Sequence, residues 1–318
     1  MAQVLVQPVN GRCGYVGRLA PSPTGALHLG NVRTFMVAYL RARSVGGRLI
    51  MRMEDLDHPK DKPGAASAAI EDLKWLGFEW DEEYVQSERT AIYARAIAKL
   101  AESGLAYPCV CSRRDVAAAQ SAPHAGEQLH YPGTCRGRFA NWSEAASVRP
   151  PCWRFRVDGG SAVTFEDVFA GRYSENVGRK LGDFPLARDE HGAGYTLAVV
   201  VDDAEMGVTE VVRGDDLLAA TPAQMLVQRA LGYPTPAYLH VPLVVGRDGK
   251  RLAKRHGDTR VSAYREAGIR PEKIIGYLAA SCGWAERGES IGLADLISRF
   301  DLRTIPHEPM VISDESVE

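Results

Sequence analysis

The sequence predicts an α/β protein built on a doubly wound parallel sheet, with a cysteine-bearing insertion and a short helical C-terminal part. Three observations carry this. Strand-like and helix-like segments alternate over the first hundred or so residues: "YVGRLAP", "VRTFMVAYLRARSVG", "RLIMRMED", "AASAAIEDLKWLG", "RTAIYARAIAKLAESG". From about Tyr107 to Pro151 the texture changes to cysteine, serine, proline and glycine. Beyond it, "TEVVRGDDLL" and "TPAQMLVQRALG" return to strand and helix, as though the first sheet resumes.

Each element has a local reason. "YVGRLAP" is a short strand closed by Pro21. In the next segment Val32, Phe35, Met36, Tyr39 and Leu40 recur at helical spacing, and Gly46-Gly47 stops the helix. "RLIMRMED" is a mostly apolar strand. "CWRFRV", "AVTFEDVF" and "FPLARDEHGAGYTLAVVVDDAEMG" read as short strands of a mixed, inserted unit. "LHVPLVVGRDGKRLAKRHGDT" is a strand followed by a basic loop, and the chain from about Arg260 reads as helical. The expected boundaries are 1–106 for the first half of the parallel-sheet domain, 107–200 for the insertion, 201–258 for the second half and 259–318 for the helical segment.

Composition narrows the class. The 318 residues are 45% apolar and 25% charged, ordinary for a globular protein of about two domains. Lys+Arg is 38 and Asp+Glu is 40, a net charge of −2, so a nucleic-acid partner must be met by a local basic face. No apolar run approaches the ~18 residues of a membrane span. The start, "MAQVLVQPVNGRCGY", lacks the basic and apolar regions of a signal peptide. Six unevenly spaced cysteines do not resemble a secreted disulfide framework, so a reducing cytoplasm is expected, and the protein is expected to work as a monomer.

Two stretches carry chemistry. In "RLAPSPTGALHLGNVRT" a glycine-rich turn hands a strand over to a helix, which gathers backbone N–H groups and a helix N-terminus at one point, an anion site. His28 offers a side-chain donor to phosphate, Thr24 a hydroxyl, and Gly30 room for a flat ring or a phosphate. Taken alone, the same stretch is equally a tight turn with a helix cap at Asn31. In "GKRLAKRHG" Lys250, Arg251, Lys254 and Arg255 fall within six positions, a cationic loop suited to a polyphosphate. Both stretches end predicted strands, where open α/β sheets bind ligands.

Together they resemble the two signatures of class I aminoacyl-tRNA synthetases, "HLGN" standing where the family has "HIGH" and "RLAKR" where it has "KMSKS". "APSPTGALHLGNVRT", "RMEDLD", "DDAEMGVTEVVRGDDLL" and "KRHG" are similar to the glutamyl branch over roughly residues 16–260. That branch continues into a helical anticodon-binding region, and a further domain needs about 50 residues or more, usually 100–150. Only about 60 residues follow the basic loop. A core of this kind with a Cys-x-Cys…Tyr-x3-Cys insert resembles the glutamyl-Q tRNA(Asp) synthetase family, which attaches glutamate to queuosine in the anticodon of aspartate tRNA. The alternatives are a shortened enzyme charging the 3′ end of glutamate tRNA, or a non-catalytic paralogue that binds glutamate, ATP or RNA.

The resemblance implies a Rossmann-type fold and ATP-driven activation of L-glutamate, with Mg²⁺ accompanying ATP. Two carboxylates call for guanidinium forks. Arg18 and Arg213 match the glutamate-binding arginines, Glu54 the acidic residue for the ammonium, and Tyr195 and Ser22 further residues of the pocket. Read without the resemblance, Glu54 could cap a turn, Arg213 could pair with Asp215 or Asp216, and Tyr195 could be core. For ATP the matching positions are Thr24, His28, Gly30, Asn31, Arg251 and Lys254, with His28 and Lys254 expected to act on the transferring phosphate. At Ala253 the loop departs from the family, which often has serine there.

Cys109, Cys111 and Cys135 suit a structural Zn²⁺. Chemistry alone favours His124 or His130 as fourth ligand, whereas the resemblance points to Tyr131. For RNA, Arg33, Arg41, Arg43, Arg48 and Arg52, with Arg247, Lys250 and Arg255, are candidates for one basic face. The alternative is that each pairs with a neighbouring carboxylate.

Overall fold

The computed structural model describes residues 8–9, 12–56, 62–119, 129–160, 162–250, 252 and 258–312. A short pair, β1 (Pro8–Val9) and β2 (Arg12–Cys13), precedes the first buried strand, β3 (Val16–Leu19). Then come α1 (Leu29–Ser44), β4 (Arg48–Met53), α2 (Ala65–Trp75), β5 (Glu82–Val85) and α3 (Thr90–Glu102). β3 pairs with β4 and β4 with β5, both parallel, in the register Val16↔Arg48 and Ile50↔Glu82.

The insertion opens with β6 (Ala106–Cys109), α4 (Arg113–Ala118), α5 (Trp142–Ala146) and β7 (Cys152–Phe155). β8 (Val163–Asp167), β9 (Gly171–Glu175), α6 (Val177–Lys180) and β10 (Phe184–Ala187) follow. β6, β7 and β10 form an antiparallel sheet of their own, in the order β10-β7-β6. β8 and β9 leave the insertion and extend the catalytic sheet instead.

α7 (Tyr195–Glu205), β11 (Glu210–Gly214), α8 (Thr221–Leu231) and β12 (Ala237–Val241) return the chain to that sheet. β11 pairs with β12 and β12 with β8, again parallel. β13 (Val244–Val245), α9 (Val261–Glu266), α10 (Pro271–Ala280), α11 (Leu293–Leu296) and β14 (Met310–Val311) complete the order, and β14 runs back to pair with β13.

Residues 195–205 correct the expectation of a strand. "YTLAVVVDDAE" buries Leu197 through Val201 without a break, so it is apolar all round. A helix buried on every side shows no 3.6-residue period to distinguish it from a buried strand.

The two groups of parallel strands meet at β3 and β11. Thr209 N donates to Val16 O at 2.9 Å, and Val16 N donates to Thr209 Oγ1 at 2.9 Å. A core lies on each face. On one, Leu29, Val32, Met36 and Leu40 of α1 pack with Leu49, Met51, Val212 and Leu239. On the other, Ile50 and Val211 pack with Tyr93, Ile97, Val200 and Val227. Alternate residues of β4 and β11 thus point to opposite cores, as a strand covered on both faces requires. β3 has β4 on one side and β11 on the other, so the strand order reverses between β3 and β11, and a crevice opens at their C-terminal ends.

Candidate active site

A cavity of about 540 Å³ fills that crevice. Its lining brings together Arg18, Ser22, Thr24, His28, Gly30, Asn31, Glu54, Tyr195 and Arg213, all of which the sequence nominated. Arg251 and Lys254 lie outside the described residues, but both flanks of their loop reach the cavity. Val244 lines it. On the other flank Leu29 N donates to Thr259 O and Val261 N to Leu27 O, at 3.1 and 2.9 Å.

The turn before α1 explains its own sequence. The N-cap is His28, not Asn31. His28 Nδ1 accepts from Asn31 N at 3.4 Å, while Asn31 Oδ1 accepts from His28 N at 3.2 Å. This reciprocal cap satisfies two end-of-helix donors and orients the imidazole. Gly30 leaves the His28 ring in place, since a Cβ there would stand 3.0 Å from it and push it aside.

The other end of the cavity is a buried ion network. Arg52 is fully buried, its Nη1 donating to Asp203 Oδ1 at 2.6 Å and its Nη2 to Glu54 Oε1 at 3.1 Å. Burial works against its charge, and Asp203, Glu54 and Asp202 outweigh it. Arg18 Nη1 donates to Val212 O at 2.7 Å. Its Nε finds no hydrogen-bond partner among the described residues, Asp203 Oδ1 standing 3.7 Å away. Burial therefore lowers the Arg18 pKa, with Asp203 opposing. Burial raises that of Glu54, with Arg52 and Arg18 opposing. Arg213 does not pair with Asp215 or Asp216. Its Nε donates to His240 Nε2 at 2.9 Å and its Nη2 to Thr221 Oγ1 at 2.7 Å. Tyr195, 43% exposed, opens into the cavity from the start of α7.

Asp203 was not singled out from sequence, and Arg52 was nominated for an RNA face rather than for this network. The available signal was "VVVDDAE", two carboxylates ending an apolar run, since buried acids demand a cationic partner.

The basic face is corrected for five of its arginines, whereas Arg247 and Lys250 are exposed. Arg33 is buried and donates to Pro242 O and Ser281 Oγ. Arg41 pairs with Glu210, Arg43 with Asp81, Arg48 with Glu82, and Arg52 belongs to the network above. These five arginines lie on the elements that wrap the core, so nearby carboxylates or carbonyls claim them. Arg255 lies outside the described residues.

In the insertion the Sγ atoms of Cys109, Cys111 and Cys135 lie within 4.8 Å of one another. Tyr131 Oη stands 3.3 Å from Cys109 Sγ and 3.8 Å from Cys111 Sγ, and accepts from Cys135 N at 2.8 Å. His130 turns away, its Nε2 3.0 Å from Gly178 O, and His124 lies outside the described residues. A hydrogen bond with Cys152, aided by Tyr131 and Arg154 against burial, draws the Cys109 pKa down to about 4, whereas burial and the hydrogen bond with Cys135 push Cys111 up to about 12.

The sequence matches the family model described as tRNA synthetases class I (E and Q), catalytic domain, over residues 15–317. It is 46% identical over 316 residues to a Glutamyl-Q tRNA(Asp) synthetase of Symbiobacterium thermophilum, covering 95% of this chain and 97% of that relative. It is 42% identical over 307 residues to a Glutamate–tRNA ligase of Aquifex aeolicus, covering 95% of this chain and 64% of the ligase. Among solved structures, a glutamate tRNA ligase from Elizabethkingia meningosepticum, in complex with its amino acid, superposes with a TM-score of 0.83. That match has 29% identity and covers 96% of this chain and 68% of the ligase. The chain belongs to the glutamate and glutamine branch of the class I tRNA synthetases.

Proposed function

We propose that the protein activates L-glutamate with ATP and transfers it to the queuosine base in the anticodon of tRNA(Asp). The match to the Symbiobacterium relative, at 46% identity over 97% of its length, carries the choice of acceptor. A relative from Rhodopirellula baltica with the same printed name, also 46% identical, agrees with it.

In this reading Arg18 and Arg213 take the two carboxylates of glutamate, and Glu54 takes its ammonium. The network behind them is already desolvated, so the substrate meets fixed charges rather than water. Ser22 and Tyr195 line the same pocket. Thr24, His28, Gly30 and Asn31 face the phosphates of ATP at the N-terminus of α1. A glutamate carboxylate oxygen attacks the α-phosphorus, the bond to the departing pyrophosphate breaks, and glutamyl-adenylate forms. Lys254 and Arg251 neutralise the charge that moves onto pyrophosphate, and Mg²⁺ accompanies ATP. Transfer to the base then releases AMP. Catalysis on this account is positioning and electrostatics, without a covalent nucleophile on the protein.

Cys109, Cys111, Cys135 and Tyr131 would hold a Zn²⁺, for which the grouped sulfurs and the adjacent hydroxyl are a suitable donor set. The ion's contribution would be structural, tying the insertion together.

The test uses radiolabelled glutamate, ATP and two purified tRNAs. Label on aspartate tRNA that disappears when the tRNA lacks queuosine is the expected result. Label on the 3′ end of glutamate tRNA would instead establish a conventional ligase.

A further inference from the structure

Behind Arg213 lies a buried chain of hydrogen bonds that the reaction above does not use. Arg213 on β11 and His240 on β12 are direct partners in the parallel register. A guanidinium can only donate, so His240 Nε2 must accept from Arg213 Nε across 2.9 Å. The ring proton therefore sits on Nδ1, which lies 2.6 Å from Asp167 Oδ2 at the end of β8. Both side chains are fully buried. Asp167 Oδ1 is itself claimed by three backbone donors, Phe169 N, Ala170 N and His240 N, at 3.0, 2.8 and 3.1 Å. The carboxylate cannot turn, and its other oxygen can only accept from the imidazole. Thr221 Oγ1 accepts from Arg213 Nη2 at 2.7 Å and stands 3.3 Å from His240 Nε2, to which its hydroxyl can donate, and the ring of Tyr238 lies 5.3 Å from the guanidinium carbon. Nη1 makes no hydrogen bond within the described residues and is left for the cavity that Arg213 lines.

We infer that Asp167 and His240 are positioning residues, which aim the Arg213 guanidinium at a substrate carboxylate by fixing the tautomer of His240. The inference rests on the reading of Arg213 as a glutamate-binding residue. It also makes a sharp statement about one near-isosteric change. In Asp167→Asn the three backbone N–H groups keep the amide oxygen at the Oδ1 position. The amide NH₂ must then face His240 Nδ1. The imidazole proton moves to Nε2, where it opposes the Arg213 Nε–H. Two donors cannot share that gap, and the guanidinium loses its seat. A buried carboxylate that sets a histidine tautomer has large functional leverage even when its replacement keeps the geometry.

Two measurements test this. The first is ¹⁵N NMR of histidine-labelled protein. The expected signature is an Nδ1–H, Nε2-accepting tautomer for His240 in the wild type, switching to Nε2–H in Asp167→Asn. An Nε2–H tautomer in the wild type overturns the inference outright and needs no enzymatic turnover. The second is glutamate-dependent exchange of pyrophosphate into ATP. Asp167→Asn should raise the KM for glutamate about 10- to 100-fold and that for ATP less than about threefold. His240→Gln offers Arg213 an acceptor oxygen whatever stands at 167, so in that background Asp167→Asn should add less than about threefold. Equal rises in both KM values, or full additivity of the two changes, overturns the positioning role. Absence of any glutamate-dependent exchange in the wild type counts against the proposed function instead, and the tautomer measurement still judges the hydrogen-bond chain.

Discussion

At the ends of β3, β4 and β11, three arginines and three carboxylates lie desolvated between two large apolar cores. In the insertion, Cys109, Cys111, Cys135 and Tyr131 lie among only a few small or aromatic neighbours, Tyr107, Val110, Val116 and Ala145. The crevice holds its ions because two well-packed sheet faces fix every partner. The local cluster around the sulfurs is small, whereas the insertion's own strands pack Phe155, Phe184 and Leu186 into the second large core, and small clusters of this kind are commonly closed by a metal or by disulfides. One region therefore gains its polar site from its core. In the other, a metal held by the proposed ligands would supply what the small cluster lacks.

The comparison can be broken most directly at Arg213. Arg213→Ala removes a buried donor from the cavity wall, and kcat/KM for glutamate should fall roughly 100-fold or more, equivalent to about 2.7 kcal/mol or more. Its partners there, His240 and Thr221, carry no opposite charge, so the folded chain should tolerate the loss better than catalysis does. A thermal melt beside the kinetics checks this.

A zinc chelator, or Cys135→Ser, should loosen the insertion alone. Limited proteolysis within 107–160 should speed up about tenfold or more, a local opening of roughly 1.4 kcal/mol, while the main unfolding transition stays in place. Loss of the whole fold on chelation would erase the distinction between the regions.

Acid sharpens it further. Burial lowers the pKa of His240 from its ordinary 6.5, so the folded chain keeps it neutral while the unfolded chain binds a proton. Its contribution to stability is complete above about pH 6.5 and declines as pH falls toward the folded-state value, at no more than about 1.4 kcal/mol per pH unit. Urea titrations from pH 7 to 5 should show this slope, and His240→Gln should flatten it.

The smallest effect belongs to the outer surface. Arg48 and Glu82 pair in solvent, with 44% and 34% of their side chains exposed. Arg48→Ala should cost less than about 1 kcal/mol in urea and leave the salt dependence of tRNA binding unchanged.

What was legible in the sequence was what neighbours in the chain decide. The "HLGN" turn, the glycine that leaves the His28 ring in place and the periodicity of α1 all depend on residues within about four positions of one another. What was illegible was set across the sheet. Arg52 finds Asp203 151 residues away, and His240 finds Asp167 73 residues away. Nothing in "RLIMRMED" or "YLHVP" names those partners. The arginines expected on an RNA face were misjudged for the same reason, because a side chain's exposure depends on what the fold lays beside it.

The contact between Arg18 and Val212 spans 194 positions, and it closes the wall on which the cavity depends. Loops of that length form late, since their closure entropy is spent before any contact repays it. On a ribosome, β3, β4 and α1 emerge long before β11 and β12 exist. Until the chain has passed about residue 241, those early strands carry half a binding site and an uncovered sheet edge. The cavity wall thus closes only once β11 and β12 have been made. A ligand that fills the cavity at that moment would favour the one arrangement in which the two halves meet.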